Sequence, residues 1–301
     1  MNQGNVKVKP FVKWAGGKGQ LLDEIRAKYP KDLGKSINRY CEPFVGGGAV
    51  LFDLLSTYSF KEVLINDINA ELINTYNQIK NQVEELLQRL EYLQDIYWPL
   101  AKTERKKMYL EIRERFNCLK VNSNEQVNLE KAVLFIFLNK TCFNGLFRVN
   151  KKGLFNVPMG AYKKPLICDK KNLLAINKLL QGVQIRCGDY KECADFIDKN
   201  TFVYIDPPYR PLSITANFTA YTENVFDDHE QIALGKFVDE IHRQGAKVVI
   251  SNSDPKNMDK DDNFFDKIYN KYNIKRITAK RMINCNSERR GEISELLISN
   301  Y

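Results

Sequence analysis

The sequence predicts an α/β protein: a sheet of the nucleotide-binding kind, interrupted by a mainly helical insertion that carries a β-hairpin. Three observations lead there. A strand, a glycine turn and a helix follow one another over residues 37–55, and a second strand then ends in Asp67, 21 residues beyond Gly46. Strand-like runs return at 183–187, 201–205 and 247–250. Between these groups, residues 75–140 have helical periodicity where a doubly wound sheet would place another strand.

In chain order, Ile37 to Phe44 is the first strand, Val45-Gly46-Gly47-Gly48 the turn, and Ala49 to Leu55 the helix. The glycines let the backbone approach a ligand, and an acid about 20 residues onward, here Asp67, can accept hydrogen bonds from ribose hydroxyls. Because the glycines are consecutive and depart from G-x-G-x-x-G, a nucleoside without phosphates fits better than a pyrophosphate cofactor. From Leu72 through Tyr76, Ile79, Val83, Leu86, Leu90 and Leu93 to Tyr97, apolar residues recur at steps of four and three, which predicts one long amphipathic helix packed on the core. Further helices are expected at 103–117 and 129–140.

Residues 143–162 alternate short apolar groups around Asn150-Lys151-Lys152-Gly153, a polar turn, and predict a protruding hairpin. Beyond it the strands Val183–Cys187, Thr201–Ile205 and Lys247–Ile250 alternate with helices at 191–199 and 228–243, and Glu295–Ser299 closes as an edge strand. The expected division is therefore 1–74 and 166–301 for the sheet domain and 75–165 for the insertion.

Composition narrows the function. The 301 residues are 44% hydrophobic and 28% charged, ample for a core, and disorder is excluded as the main state. The longest apolar run, Ala132 to Leu138, is far short of a membrane span, and the start of the chain has no apolar stretch with a cleavage site, so a cytoplasmic location is expected. Seven scattered cysteines without a Cys-x-x-Cys pair point to free thiols in a reducing compartment. Only His229 and His242 are present, which argues against a zinc site and against Ser-His or Cys-His nucleophilic chemistry.

The net charge of +9 is uneven. Residues 139–171 carry eight Lys/Arg against Asp169 alone, and residues 271–290 carry seven against Glu288, whereas 192–240 has ten acids against three bases. Such a two-sided field attracts a polyanion, and Phe143, Phe147, Phe155 and Tyr162 are interleaved with the basic residues, as where bases are contacted along with phosphates. A solvated Lys-rich face is the plainer alternative.

Directly after the strand at 202–205 stands Asp206-Pro207-Pro208-Tyr209, at the carboxyl end where open α/β sheets place their sites. Spacing alone leaves two readings open: a strand-terminating turn with a half-buried tyrosine, and a loop that carries chemistry.

Taken together, Phe11-Val12-Lys13-Trp14-Ala15-Gly16-Gly17-Lys18, Glu42-Pro43-Phe44-Val45-Gly46-Gly47-Gly48, Asn66-Asp67-Ile68-Asn69, Phe143-Asn144-Gly145-Leu146-Phe147-Arg148, Phe155-Asn156-Val157-Pro158-Met159-Gly160, the tetrad, Pro211-Leu212-Ser213 and Asn217-Phe218-Thr219-Ala220-Tyr221 resemble, in the same order, the Dam-type N6-adenine DNA methyltransferases of the D12 class. The resemblance implies a Rossmann-like sheet dependent on S-adenosylmethionine, with S-adenosylhomocysteine as product, acting on adenine N6 in double-stranded DNA, in GATC, by base flipping. It implies that Trp14 and Lys18 border the methionine part, that Phe44, Gly46 and Gly48 line the cofactor turn, that Asp67 holds the ribose, and that Asp189 and Tyr190 lie near the cofactor adenine.

By the same resemblance Asp206 and the Pro207 carbonyl accept hydrogen bonds from the target amine, Asp206 also bordering the cofactor, while Tyr209 stacks on the extruded base. Arg148 would contact guanine in the major groove and Phe143 would be the wedge, with Lys13, Asn144, Leu146, Pro158, Tyr162 and Asn217 as further DNA contacts. Phe143 stands where several relatives have tyrosine, so a contact through that hydroxyl is not expected, and the loop at 284–290 has no clear counterpart. A companion restriction endonuclease is compatible with this reading. The competing readings are methylation of cytosine N4 or of another DNA sequence, and a DNA-binding relative without catalysis.

Overall fold

Strands β1 (Arg39–Glu42) and β2 (Glu62–Asp67) pair in parallel, with Cys41 beside Leu64. On the far side of β1 lies β4 (Thr201–Ile205), also parallel, with Cys41 beside Val203. Strand order therefore reverses at β1. Strands β3 (Val183–Cys187) and β5 (Lys247–Ser253) extend the parallel set outward, and β6 (Asn273–Lys280) and β7 (Glu292–Ser299) complete a seven-stranded sheet of order β3-β2-β1-β4-β5-β7-β6. The chain thus adopts the α/β, Rossmann-like class predicted from its sequence. The computed structural model describes residues 8–121, 124–210, 226–280 and 292–301.

All five residues of β4 and the four central residues of β2 are buried, as required of parallel strands covered on both faces. Helices α1 (Leu22–Arg26), α2 (Ala49–Thr57), α7 (Lys170–Leu180), α8 (Asp228–Arg243) and α9 (Phe264–Ile268) accompany the strands. Between β2 and α7 run four helices, α3 (Ala70–Asn81), α4 (Val83–Tyr97), α5 (Lys102–Cys118) and α6 (Glu125–Thr141), with α6 packed on the other three. Helix α6 buries twelve of its residues, including the whole run Lys131–Asn139, because it is surrounded. Among the described residues no helix is long and apolar enough to cross a membrane.

Four expectations require correction. The helix predicted over 72–97 is two, broken at Gln82 (φ −135°, ψ 38°), and the apolar spacing runs on because both halves bury the same stripe. At 191–199 the helical content is a single 3-10 turn, Tyr190–Cys193. The closing strand is interior, between β5 and β6, and the edge is β6, whose residues stand out in the sequence only as a basic stretch. Finally, the 143–162 segment reverses at 150–153 and pairs through two separate antiparallel bridges, Val149 with Phe155 and Cys142 with Met159.

One arm of that segment lies down on the helices and does not project. Phe155 and Val157 are buried, Asn117 exchanges two hydrogen bonds with the Phe155 backbone (2.8 and 3.1 Å), and the Tyr109 hydroxyl donates to the Val157 carbonyl at 2.8 Å. Phe155 is therefore a core residue, unavailable to a base.

Candidate active site

The tetrad leaves the carboxyl end of β4 beside the glycine turn at the end of β1, the crevice where strand order reverses. Tyr204 and Asp206 are two residues apart and share a face of the chain. The pairing of Tyr204 with Val249 and Ile205 with Ile250 brings Ser251 of β5 alongside Asp206. The Ser251 hydroxyl donates to Asp206 Oδ1 at 2.9 Å and lies 2.9 Å from the Tyr204 hydroxyl.

Lys18, although 4% exposed, reaches the same carboxylate. Its ammonium has three donors, and its near partners are Asp206 Oδ1 (2.9 Å), the Tyr209 hydroxyl (2.5 Å) and the Gly16 carbonyl (2.9 Å). The Tyr209 hydroxyl in turn donates to Glu295 Oε2 of β7 at 2.6 Å, and Glu295 is 3.9 Å from Lys18 Nζ. Burial pushes the Asp206 carboxyl above its ordinary range, and the Lys18 charge and the hydrogen bonds from Lys18 and Ser251 oppose that rise. Among the described residues both side-chain bonds to Asp206 fall on Oδ1, and Oδ2 is the carboxylate's second acceptor.

The Lys18 ammonium is thus engaged by the tetrad through Asp206 and Tyr209, and by the Gly16 carbonyl.

On the other side of β1, Asp67 closes the glycine turn. Its Oδ2 accepts from the Gly46 N–H (3.0 Å) and its Oδ1 from the Asn69 N–H (2.9 Å), while burial pushes its carboxyl upward against those two bonds. Gly46 (φ +47°) and Gly48 (φ +76°) hold left-handed backbone that other residues rarely adopt. A Cβ on Gly46 would stand 2.8 Å from Trp14 Cδ1, so internal packing alone requires glycine there. Phe44, Tyr190 and Phe226 face one another with ring centroids 5.1–6.2 Å apart, an apolar box at the ends of β1 and β3. Asp189 is exposed and caps the adjoining 3-10 turn by accepting from the Lys191 N–H.

The N-terminal segment joins this crevice to the 143–162 segment. Asn139 of α6 pairs with both the N–H and the carbonyl of Lys13 (2.8 Å each) and also donates to the Gly145 carbonyl (2.9 Å). Trp14 stacks on Phe147 with centroids 5.8 Å apart and planes 21° apart. Lys13 Nζ donates to the Tyr162 hydroxyl at 3.1 Å. Phe143 is half exposed, Asn144 has φ +55°, Leu146 is half-buried, and Pro158 and Arg148 are exposed. The Arg148 guanidinium is held by Asn156, donating from Nε to Oδ1 (2.7 Å) and from Nη2 to the backbone carbonyl (3.4 Å). Asn217 lies outside the described residues, as do the motifs 211–213 and 217–221 and the loop 284–290.

Five functional neighbours escaped the sequence reading: Glu295, Ser251, Tyr204, Asn139 and Arg210. Arg210 anchors the far end of the tetrad, donating to Asp228 and Asp262 at 2.6 Å each and lying 4.2 Å over the Phe264 ring. Each reaches its partner across 40 or more residues or from a neighbouring element, so only the strand and helix pairing exposes it; the Asp206–Ser251 link alone was approachable, from the small polar residues ending the run at 247–253.

Comparison with known proteins adds a family. The D12 class N6 adenine-specific DNA methyltransferase profile matches residues 14–283. The chain is 49% identical over 298 residues to the Type II methyltransferase M.MjaIII of Methanocaldococcus jannaschii, covering 98% of this chain and all of that one. It is 34% identical to the Type II methyltransferase M1.LlaDCHI of Lactococcus lactis subsp. cremoris, covering 100% and 98% of the two chains. It is also 34% identical to a DNA adenine methylase of Vibrio cholerae serotype O1, covering 97% and 95%.

Proposed function

Since the chain belongs to the D12 class of N6 adenine-specific DNA methyltransferases, we propose that it transfers a methyl group from S-adenosylmethionine to adenine N6 in duplex DNA, at GATC, after extruding the base. The observation that carries this reading is the Asp206 carboxylate, tied down through Oδ1 at the carboxyl end of β4 beside the glycine turn.

The residues present fit the donor. Asp67 keeps lone pairs beyond its two backbone bonds and can accept from the ribose hydroxyls, and the Phe44–Tyr190–Phe226 box offers apolar faces to the nucleobase. When bound, the sulfonium supplies an activated methyl group whose C–S bond breaks with the electron pair leaving on sulfur.

The chain's own work is to prepare the acceptor. Adenine N6 is a poor nucleophile because its lone pair is delocalised into the ring. Asp206 Oδ2 and the Pro207 carbonyl accept from the two N–H bonds, which favours a pyramidal nitrogen whose lone pair faces the methyl carbon. As the N–C bond forms, the positive charge developing on N6 is stabilised by Asp206, and the extra proton on N6 then passes to water. Positioning and electrostatics suffice, and no covalent enzyme intermediate is needed. Tyr209, its hydroxyl held by Lys18 and Glu295, presents its ring to the extruded base. Arg148 and the exposed part of the 143–162 segment read the flanking pairs, Phe143 fills the gap left in the stack, and Lys13 and Tyr162 flank them.

The test is to incubate unmethylated duplex DNA with the protein and methyl-labelled S-adenosylmethionine and to map the label. Label on adenine N6 in GATC supports the proposal. Label on cytosine N4 or in another sequence overturns the target, and binding without transfer overturns catalysis.

A further inference from the structure

We infer that Ser251 and Tyr204 form a buried hydroxyl relay that positions Asp206, directing one carboxylate oxygen into the protein so that the other meets the target amine. This rests on the role given to Asp206 above. Both relay residues are buried, Ser251 at 0% and Tyr204 at 1% exposure, so neither touches DNA. They nevertheless end at the one carboxylate the reaction needs. Ser251 donates its only proton to Asp206 Oδ1, so its oxygen must accept from Tyr204, and the order Tyr204 to Ser251 to Asp206 follows.

Sheet register makes the relay rigid. Tyr204 and Asp206 lie on β4 and its immediate extension, and Ser251 lies on the neighbouring β5, all held by the parallel pairing of the two strands. Lys18 approaches the same Oδ1 from the N-terminal segment. A carboxylate whose inner oxygen accepts from two fixed donors cannot rotate without losing both, and its outer oxygen is thereby aimed. Buried chains of this kind hold a group because an unmade bond in a low-dielectric site is costly. A serine and a tyrosine used only for packing would be equally served by alanine and phenylalanine.

The experiment uses the full chain, GATC-containing duplex DNA and labelled S-adenosylmethionine. It measures kcat, KM for DNA, donor affinity, thermal melting and the pH profile for wild type, Ser251→Ala, Tyr204→Phe and the double variant. Among the described residues the titratable groups facing Asp206 are Lys18, Glu295, Glu42, Tyr204 and Tyr209, and Ser251→Ala alters none of them. The expected result for Ser251→Ala is a fall in kcat of roughly ten- to hundredfold, the scale of a hydrogen bond to a charged group. KM and donor affinity should change less than about twofold, since no ligand contact is removed.

Losing a donor to the carboxylate raises its pKa, so the acid limb of kcat should move to higher pH. Tyr204→Phe, which keeps the ring in place, should lower kcat several-fold alone and add nothing in the Ser251→Ala background. Unchanged kcat and acid limb in Ser251→Ala, or full additivity in the double variant, would overturn the relay while wild-type methylation upholds the function. A lowered melting temperature with unchanged kcat per folded molecule would reduce both residues to packing and overturn it too. Wild-type protein that methylates no adenine would overturn the relay together with the reading beneath it.

Discussion

Replacing Lys18 by methionine is the sharpest perturbation of the candidate site, because it removes a buried charge while nearly preserving side-chain length. Asp206 and Glu295, with side chains 20% and 14% exposed, would then face each other without the cation that stands 2.9 and 3.9 Å from them. An opposite charge at such a distance lowers a carboxyl pKa by about 1–3 units. Its removal should therefore raise the Asp206 value by that amount, which is about 1.4–4 kcal/mol of lost preference for the ionised form. Repulsion from Glu295 acts in the same direction. In the proposed mechanism Asp206 acts ionised, as an acceptor, so activity is expected above its pKa and is lost as pH falls through it. The acid limb of single-turnover methylation at saturating donor should accordingly move up by about 1–3 pH units, with recovery of rate toward alkaline pH. A lower rate at every pH with the limb in its wild-type place would refute the electrostatic role and return Lys18 to donor binding alone.

Three further outcomes are expected. Asp206→Ala should abolish transfer while donor and duplex still bind by calorimetry, since Glu295 remains to partner Lys18; loss of donor binding would assign Asp206 to the donor instead. Arg148→Ala should cost about 1–3 kcal/mol of discrimination in kcat/KM between duplexes differing at one guanine, and an unchanged ratio would move base reading elsewhere. Gly46→Ala combines left-handed backbone (φ +47°) with a methyl group 2.8 Å from the Trp14 ring. It should destabilise by about 2–4 kcal/mol in urea unfolding, and a loss under about 0.5 kcal/mol would show that Trp14 yields freely.

What was legible in the sequence is what is locally encoded. Strands β2, β4 and β5 declare themselves as apolar runs because both of their faces are covered. The turn glycines and the acid of β2 were visible for the same reason. Strand β6 was not, because an edge strand such as Asn273–Lys280 presents charge on its open side and reads as a basic patch. The break at Gln82 left no proline or glycine to mark it, and a stripe shared by α3 and α4 conceals a change of direction. Glu295 is 86 residues from Tyr209 and reaches it only because β7 inserts between β5 and β6. Resemblance named Lys18 but not its commitment to Asp206, which depends on the path of the N-terminal segment.

That path has a practical corollary for protein engineering. Within six consecutive positions, Lys13 is clasped by the helix that leads into the 143–162 segment, Trp14 stacks against that segment, and Lys18 grips the tetrad. A chimera that transplants 143–162 from a relative without its matching 11–18 stretch would pair a foreign surface with Trp14. Modular exchange of target preference should therefore succeed when the two pieces travel together.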